Sequence, residues 1–469
     1  MVTAQLRVAI VGGGVAGLTA AFKLRALNPA IRVELFEASE RLGGAIRTES
    51  VDGYLVEHGA DMFATEPPAA LELCHELGID GELMMPLPNA RGAAIVHGGK
   101  LVKIPDGFVL MRPTLLWPMM RTPLLSFAGK LRLLAEPLIR RGDAIDESIE
   151  SFVTRRLGRE TLERIVQPLV GGIYTGDVAQ LGMSATMPQF WEMERRDGSL
   201  FRATWRRRRE GSDTTEQNSA GARYEKFRSF PQGMERLISE LSSRLEKQST
   251  HLSSPVRSLQ RDADGWWVAM QTGVLKGPFD HVILATPAKH AATLLADTVP
   301  AASQVLSEIR YASSAVVVFG VRDVDINQTL PIAGFVVPIR EGRKILAVSF
   351  TGDKFAGRAP AGHKLIRVFI GGELQKELLK QSDDQLVAMA NKELEQLIGL
   401  HAAPIFSKVI RWNDAMPQYH VGHLGRLAIA EAAISQCPGL SIIGNSLRGV
   451  GIAPTVATAI KEARTIVGE

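Results

Sequence analysis

Three glycines and one acid near the start of the chain have the spacing of a nucleotide-binding turn. Gly12, Gly14 and Gly17 follow an apolar run, and Glu37 ends a second apolar run about 20 residues after the last glycine. In this pattern the first glycine makes a tight turn, the second lets the backbone approach a pyrophosphate, and the third lets a helix pack closely on a strand. The acid accepts hydrogen bonds from both ribose hydroxyls and disfavours a 2'-phosphate. The residues predict a dinucleotide site and argue against NADP; the alternative is a glycine turn that binds no ligand.

A second glycine-rich turn follows the acid and bears on the identity of the dinucleotide. Arg41 and Leu42 precede the paired glycines Gly43 and Gly44. An arginine followed by two glycines supplies another turn that faces phosphate, as a cofactor reaching further into the protein would need. This segment therefore favours FAD over NAD.

These residues need a strand, a helix and a second strand to position them. The apolar runs at residues 8–11 and 33–36 indicate strands, and residues 15–26 indicate the helix between them. The strand at residues 280–285 is predicted to return to the same sheet. A final strand at residues 440–444 precedes a helix at residues 452–467. If that helix begins beside the O2 edge of an isoalloxazine ring, its positive end stabilises the anionic reduced flavin.

The pattern of elements predicts an α/β fold built from a discontinuous Rossmann-like FAD-binding domain, a mixed-sheet substrate domain and a helical subdomain. A second, mixed sheet is expected between residues 288 and 407 from alternating strands and a helix at residues 383–398. The predicted boundaries are residues 1–64, 229–290 and 408–469 for the FAD-binding domain, 65–107 and 291–407 for the substrate domain, 108–190 for the helical subdomain, and 191–228 for a connecting segment with a mobile loop.

Composition limits the class of protein. The 469 residues are 45% hydrophobic and 22% charged, as in a folded soluble protein, and 54 basic against 50 acidic residues are too evenly balanced to indicate nucleic-acid binding. The only two cysteines, Cys74 and Cys437, form no zinc or disulfide framework, so no metal site is predicted. The apolar strand near the N-terminus leaves no room for a signal peptide, and a cytoplasmic protein is expected.

Two segments combine apolar or aromatic residues with arginines. Residues 108–141 are dense in Leu, Met and Trp with scattered basic residues, which fits a buried helical core, a helical cover over a substrate cavity, or a helix pair lying on a membrane. Residues 195–209 hold seven arginines in fifteen positions. That run indicates either a solvated face or a surface that attracts anionic substrate or lipid.

Several motifs resemble one family of flavoproteins along nearly the whole chain. GGGVAGL and EASERLGG are shared by the amine oxidases, phytoene desaturases and porphyrinogen oxidases. QPLVGGIYTGDVAQLGMSATMPQF (167–190), RWNDAMPQYHVGHLGR (411–426) and IIGNSLRGVGI (442–452) resemble the oxygen-dependent protoporphyrinogen and coproporphyrinogen oxidases of haem synthesis. MPQYHVGH is most similar to the bacterial coproporphyrinogen III oxidase branch.

The resemblance implies an FAD enzyme that removes hydrides from a porphyrinogen, passes electrons to dioxygen, and releases porphyrin and hydrogen peroxide. Coproporphyrinogen III is the favoured substrate, with protoporphyrinogen IX as the alternative. Positioning of a C–H bond near flavin N5 can replace an acid–base pair, so no catalytic base is assigned. The resemblance also implies peripheral contact with the inner face of the membrane and a ferrochelatase as a candidate partner; the oligomeric state is left open.

The resemblance implies cofactor contacts at matching positions. The implied FAD contacts are Gly12, Gly13, Gly14, Val15, Ala16, Gly17, Glu37, Ala38, Gly59, Ala60, Asp61, Met62, Val256, Trp412, Val450, Gly451 and Ile452. Arg41, Gly43 and Gly44 are added from the glycine-rich turn itself. Ile173 and Tyr174 are implied as walls of the substrate pocket.

The partners of the substrate propionates remain open. Protoporphyrinogen oxidases tend to carry an arginine where Ala93 stands here, and Arg91 lies two residues earlier. His420 and His423 of MPQYHVGH either approach the flavin and substrate or fix a domain junction by hydrogen bonds. Competing functions are an amine or carotenoid oxidation and a flavoprotein scaffold without catalysis.

Overall fold

The computed structural model describes residues 5–88, 92–210, 226–327 and 331–469. The candidate propionate partner Arg91 lies outside these residues. The described strands are β1 (Arg7–Val11), β2 (Arg32–Phe36), β3 (Thr48–Val51), β4 (Tyr54–Glu57), β5 (Phe63–Ala64), β6 (Ala94–His97), β7 (Lys100–Lys103), β8 (Phe108–Val109), β9 (Arg112–Pro113), β10 (Phe227–Arg228), β11 (Thr250–His251), β12 (Val256–Arg261), β13 (Trp266–Met270), β14 (Leu275–Phe279), β15 (His281–Leu284), β16 (Tyr311–Arg322), β17 (Gly334–Val336), β18 (Ala347–Phe350), β19 (His363–Gly371), β20 (Phe406–Pro417) and β21 (Leu440–Ile442).

The helices connect these strands and form one separate group between β9 and β10. They are α1 (Val15–Leu27), α2 (Ala69–Leu77), α3 (Leu116–Arg121), α4 (Phe127–Leu134), α5 (Ile149–Leu157), α6 (Arg159–Thr161), α7 (Gln167–Tyr174), α8 (Met183–Thr186), α9 (Pro188–Asp197), α10 (Leu200–Arg209), α11 (Glu235–Ser243), α12 (Ala288–Leu295), α13 (Pro300–Ser307), α14 (Thr351–Lys354), α15 (Asp383–Ile398), α16 (His423–Ser435) and α17 (Ile452–Val467).

A parallel sheet gathers strands from the two ends and the middle of the chain. Its order is β11-β2-β1-β15-β21, and every described pair is parallel. Alternate residues of β1 enter different cores: Val8 and Ile10 pack with α1 and α17, whereas Ala9 and Val11 pack with α12 and α16. Burial on both faces explains why this strand is apolar throughout. The predicted Rossmann-like sheet of a discontinuous domain is therefore confirmed.

The second sheet is mixed and larger, as predicted. Its order is β20-β16-β19-β18-β17-β6-β7, with β17 and β6 parallel and the other described pairs antiparallel. Strand β20 pairs with β16 from Phe406 to Pro417. The sheet therefore continues past the predicted domain boundary at residue 407, because the long strand β16 needs a partner of its own length.

The helices α3 to α10 enclose a core of their own and a group of charges, of which Glu136, Arg156 and Glu194 are buried. The helical charge cluster consists of Glu136, Glu147, Arg155, Arg156 and Glu194. The Arg156 guanidinium lies 3.1 Å from the Glu136 carboxylate and also contacts Glu194, and both Arg156 and Glu136 are fully buried. Arg155 bonds Glu147 and lies 2.7 Å from Glu194. The cluster ties the start of α10 to α5 and α9.

The described helices include none that is both long enough and apolar enough to cross a membrane.

Candidate cofactor site

The first glycine turn leads directly from β1 into α1. Gly12 adopts a φ of +112°, and its N–H donates to the Phe36 carbonyl at 2.8 Å. A Cβ at Gly17 would lie 1.9 Å from the Gly12 carbonyl oxygen, so only glycine allows the helix to pack here. Beside Gly14, in contrast, a Cβ would meet no atom within 4 Å. The N-terminus of α1 therefore opens on space that a phosphate group fits.

Glu37 is held at the end of β2 by hydrogen bonds from the turns around it. One carboxylate oxygen accepts from the Gly13 N–H at 2.7 Å, and the other accepts from the N–H and hydroxyl of Ser39 at 2.8 and 2.7 Å. An ionised carboxylate has about four acceptor sites, so these three bonds leave capacity for one further donor. The Ser254 N–H donates to the Glu37 carbonyl at 2.8 Å, which brings the start of β12, Val256, next to Ala38 and the ribose acid.

The second glycine turn closes against the first. The Gly43 N–H donates to the Gly13 carbonyl at 2.8 Å, and a Cβ at Gly44 would lie 3.3 Å from the Gly14 Cα. The Arg41 guanidinium donates to the carbonyls of Leu42 at 2.7 Å and Gly44 at 2.6 Å. Arg41 thus braces the turn from within, and the glycine backbone forms the surface that faces the cofactor space.

The cofactor segment, residues 59–62, is held by its carbonyl groups. Trp412 Nε1 donates to the carbonyl of His58, the preceding residue, at 3.0 Å. Arg367 donates to the Gly59 carbonyl at 2.6 Å, and the Ser229 hydroxyl donates to the Asp61 carbonyl at 2.7 Å. Among the described residues, the N–H groups of residues 59–62 donate to no protein acceptor. These N–H groups, including those of Ala60 and Met62, are therefore free of protein hydrogen bonds within the part of the chain that the structure describes.

A second helix N-terminus points to the same edge of the parallel sheet. Helix α17 follows β21 just as α1 follows β1, and the two strands run in the same direction. Its N-cap, Gly451, is exposed, has a φ of +109° and offers no side-chain cap. Val450 packs partly against the helical core, and Ile452 enters the core shared with α1. Two helices without side-chain N-caps thus follow β1 and β21, on the side of the sheet where open α/β folds bind ligands.

The predicted pocket residues Ile173 and Tyr174 differ in their placement. Ile173 exposes 43% of its surface at the end of α7. Tyr174 is buried in the helical core, and its hydroxyl donates to the Thr186 carbonyl at 2.8 Å. Burial raises the pKa of the Tyr174 hydroxyl. Only Ile173 of this pair offers its side chain to a ligand.

The motif around His420 and His423 joins the helical subdomain to the C-terminal loop. The Gly182 N–H donates to the Tyr419 carbonyl at 2.8 Å, and the imidazole of His423 bonds the Leu447 carbonyl at 2.9 Å. His423 also stacks on Tyr419, with ring centroids 4.2 Å apart. Burial lowers the pKa of His420 and lowers the pKa of His423 to about 4. These contacts fit the alternative of a domain junction.

Sequence reasoning missed a group of buried charges behind the cofactor segment. This cofactor charge cluster consists of Glu57, Asp61, Lys354, Arg358 and Arg367. Lys354 Nζ lies 2.5 Å from the Asp61 carboxylate, and the Arg367 guanidinium lies 3.7 Å from it. Burial alone would raise the pKa of Asp61, but the charges of Lys354 and Arg367 lower it to about 2. The one available sequence signal is Arg367, a charge that lies between the apolar residues Ile366 and Val368 of β19.

Comparison with known proteins agrees with this geometry. Residues 15–467 match the profile described as flavin containing amine oxidoreductase. The chain is 32% identical to coproporphyrinogen III oxidase of Bacillus subtilis, covering 95% of this chain and 94% of that one. It is 30% identical to the chloroplastic protoporphyrinogen oxidase of Nicotiana tabacum, covering 99% and 86%.

Solved structures give the same fold. The chain superposes with a TM-score of 0.83 on a protein of Exiguobacterium sp. 255-15 that is provisionally named protoporphyrinogen oxidase, at 30% identity and 99% coverage of both chains. The cyclohexylamine oxidase of Brevibacterium oxydans IH-35A has a TM-score of 0.70 at 16% identity, with 98% of both chains covered. The latter likeness concerns the fold alone.

Proposed function

Because the chain belongs to the family of flavin containing amine oxidoreductases and its cofactor is FAD, we propose that it oxidises coproporphyrinogen III to the porphyrin. Dioxygen is the proposed acceptor and hydrogen peroxide the proposed second product. The observation that carries the proposal is the likeness to a coproporphyrinogen III oxidase over nearly the whole chain. The two uncapped helix N-termini and the clamped cofactor segment support the same reaction class.

The proposed cofactor contacts divide the dinucleotide among three parts of the chain. The turn at Gly12–Gly17 and the start of α1 bind the pyrophosphate, and Glu37 binds the ribose hydroxyls. The N–H groups of residues 59–62 and the start of α17 face the ring system. FAD supplies the hydride acceptor. Trp412 and Arg367 hold the carbonyl side of the segment, so that its N–H groups are oriented before the cofactor binds.

The proposed substrate space lies where the helical subdomain approaches both sheets. Val336 of β17 and Val450 before α17 both pack against the helical core. A Cβ at Gly172 would lie 3.3 Å from the Val336 side chain, so the end of α7 adjoins the mixed sheet. The exposed Ile173 follows directly and serves as the proposed wall for an apolar macrocycle. Arg91 remains a prediction for a propionate partner, since its guanidinium suits a carboxylate.

The proposed reaction requires a correctly positioned substrate rather than a catalytic base. A porphyrinogen carries methylene C–H bonds that yield hydride readily when they are held close to an acceptor. We therefore assign no catalytic acid or base, and the chain has to orient the macrocycle and the cofactor.

Removal of the Ile173 side chain by Ile173→Ala should raise the KM more than it lowers the kcat, because the lost contacts bind the substrate equally before and during the reaction.

The test is a side-by-side assay of purified, FAD-loaded protein with coproporphyrinogen III and protoporphyrinogen IX. Porphyrin fluorescence and peroxide release are followed in the same samples. The proposal expects porphyrin and peroxide with a clear preference for coproporphyrinogen III. A preference for protoporphyrinogen IX would replace the proposed substrate by the alternative. Turnover of neither, with FAD bound, would contradict porphyrinogen oxidation and return amine substrates to consideration.

We also propose that the helical subdomain contacts an anionic membrane surface. Large apolar side chains of this subdomain are exposed. They are Trp117 of α3 at 67%, Phe127 of α4 at 74%, Leu138 at 84% and Trp205 of α10 at 58%. The guanidinium of Arg121 lies 5.0 Å from the Trp117 ring, and that of Arg209 lies 3.5 Å from the Trp205 ring. Apolar side chains flanked by arginines fit the boundary between headgroups and acyl chains.

Liposome flotation tests the membrane proposal. The protein should float with vesicles that contain anionic phospholipid and should remain below with vesicles of neutral phospholipid. Trp117→Glu combined with Phe127→Glu should abolish flotation. The matched control is Val324→Glu, because Val324 is 76% exposed but lies in the substrate domain. Failure of the unchanged protein to bind anionic vesicles at low salt would contradict the proposal.

A further inference from the structure

The cofactor charge cluster holds more buried cations than anions. The cations are Lys354, Arg358 and Arg367, and the carboxylates are Glu57 and Asp61. All five side chains are less than 10% exposed. Buried charges in proteins are ordinarily paired, because an unpaired charge loses its hydration without compensation. The surplus positive charge therefore calls for a negative partner outside the cluster.

Arg358 is the least compensated member of the cluster. One of its nitrogens donates to the Ser229 hydroxyl at 2.7 Å and to the Phe230 carbonyl at 2.9 Å. Its nearest carboxylate, Glu57, lies 3.9 Å away. Among the described residues, Arg358 Nε and Nη1 have no hydrogen-bond partner. Burial raises the pKa of Glu57 and lowers the pKa of Lys354 and of Arg358, so each of these charges loses hydration in the cluster.

The cluster is joined directly to the backbone that faces the cofactor. Arg367 bonds the Gly59 carbonyl, Lys354 bonds the Asp61 side chain, and Arg358 holds the Ser229 hydroxyl that bonds the Asp61 carbonyl. A Cβ at Gly59 would lie 2.3 Å from the Ala45 carbonyl oxygen, so this segment also adjoins the second glycine turn. The surplus charge is thus one peptide layer away from the proposed FAD site.

We infer that Lys354, Arg358 and Arg367 are positioning residues whose surplus positive charge favours the reduced, anionic form of the bound flavin. The inference rests on the proposed cofactor site and deepens it. In a buried, low-dielectric setting, a cation one peptide layer away lowers the free energy of an added negative charge. Lys354 ends α14 and Arg367 lies on β19 of the mixed sheet, so both residues belong to the substrate domain. The substrate domain would therefore raise the reduction potential of a flavin bound in the FAD-binding domain.

The test is the reduction potential of bound FAD in variants that change the cluster charge in opposite directions. Lys354→Met removes a cation and should lower the reduction potential. If the protein's affinity for reduced FAD falls tenfold relative to its affinity for oxidised FAD, the potential falls by about 30 mV. Asp61→Asn removes an anion and should raise the potential. The double variant restores the original balance and should return the potential towards that of the unchanged protein. Lys354→Gln replaces Lys354→Met if the latter does not fold.

The matched control is Lys23→Met. Lys23 is equally buried and lies 2.7 Å from Glu76, but it is on α1 two turns beyond the glycines. Its substitution should leave the potential unchanged. Shifts of the same sign in Lys354→Met and Asp61→Asn, or no shift in either, would overturn the charge inference. Failure of the unchanged protein to bind FAD would instead overturn the proposed site, so the two failures are distinguishable.

Discussion

The two groups of buried charge differ in their balance. In the helical charge cluster, two arginines face three glutamates, and the additional carboxylate, Glu136, accepts from the Ser199 hydroxyl and from the Leu200 N–H at the start of α10. The positive end of that helix completes the balance. In the cofactor charge cluster, three cations face two carboxylates. A balanced cluster needs nothing beyond the protein, whereas a surplus points to a ligand.

Two glycines of the first turn also differ: Gly17 packs tightly against the protein, whereas Gly14 lies beside open space. Gly17 is required by the protein itself, since a Cβ there would meet the Gly12 carbonyl. Gly14 has open space beside it, and its φ of −74° is one that any residue adopts. We therefore expect the space beside Gly14 to be filled by the cofactor. Substitutions can test this division, because loss of stability and loss of cofactor binding are measured separately.

The largest expected effect is on the balanced cluster. Arg156→Met leaves the fully buried Glu136 carboxylate without a cation, while Glu194 keeps its pair with Arg155, and should cost about 3–5 kcal/mol of local stability. Hydrogen exchange of α5 and α10 measures that loss, and the potential of bound FAD should not move. Arg159→Met is the control, since Arg159 pairs with Glu163 while 71% exposed. Unchanged protection in Arg156→Met would contradict the structural role of this cluster.

Gly17→Ala should have the next largest effect. The new methyl group would overlap the Gly12 carbonyl, so the apoprotein should lose about 3 kcal/mol by overpacking. Urea denaturation of the apoprotein measures the loss. An apoprotein as stable as the original would mean that α1 can shift away from β1 without penalty.

The free energy of unfolding of the protein should decrease at acid pH because Asp61 becomes protonated. Its pKa is about 2 in the folded protein and 3.8 ordinarily, so the unfolded chain binds the proton more tightly. The ionised Asp61 therefore stabilises the fold above about pH 4, and this contribution, about 2 kcal/mol, is lost as the pH falls towards 2. Asp61→Asn should show a shallower decline in stability over that window. If the free energy of unfolding fell equally with pH in Asp61→Asn and in the unchanged protein, the stabilising role of the Asp61 carboxylate would be contradicted.

The smallest expected effect is that of Gly14→Ala, which sharpens the contrast with Gly17. The apoprotein should change in stability by about 1 kcal/mol or less, because the methyl group enters open space. FAD affinity should fall about tenfold, or roughly 1.4 kcal/mol, because the pyrophosphate needs that space. Fluorescence titration of the apoprotein with FAD measures the affinity. Unimpaired binding would show that the phosphates lie elsewhere.

Local patterns predicted much of the fold. The prediction of a last helix at residues 452–467 is confirmed, because Gly451 marks its start and apolar residues such as Ile452, Val456 and Ile460 repeat at helical spacing. The helix at residues 383–398 spans Asp383–Ile398, where Ser382 and Gln385 form a capping box. Both sheets followed from apolar runs of strand length. These signals lie within a few neighbouring residues, so a single sequence contains them.

The rest depended on contacts between distant parts of the chain. Lys354 and Arg358 stand in a stretch of small and polar residues that is typical of a surface turn, yet both are buried by Asp61 and Ser229 from far earlier in the chain. The sequence analysis predicts no strand at residues 406–417, and the structure forms β20 there by pairing it with β16. The proposed cofactor contacts were predictable where glycine spacing encodes them, whereas the clamps behind residues 59–62 were not.

The most direct test of the account is anaerobic mixing of the FAD-loaded protein with coproporphyrinogen III. Without dioxygen the reaction stops once the cofactor is reduced, so the absorbance of oxidised flavin reports the first transfer alone. We expect loss of that absorbance without dioxygen, because the porphyrinogen reduces the flavin. When dioxygen is admitted, oxidised flavin should recover, peroxide should be released and porphyrin absorbance should appear, since forming the porphyrin releases more electrons than one flavin accepts. A flavin that stays oxidised in the presence of excess porphyrinogen would contradict the central claim.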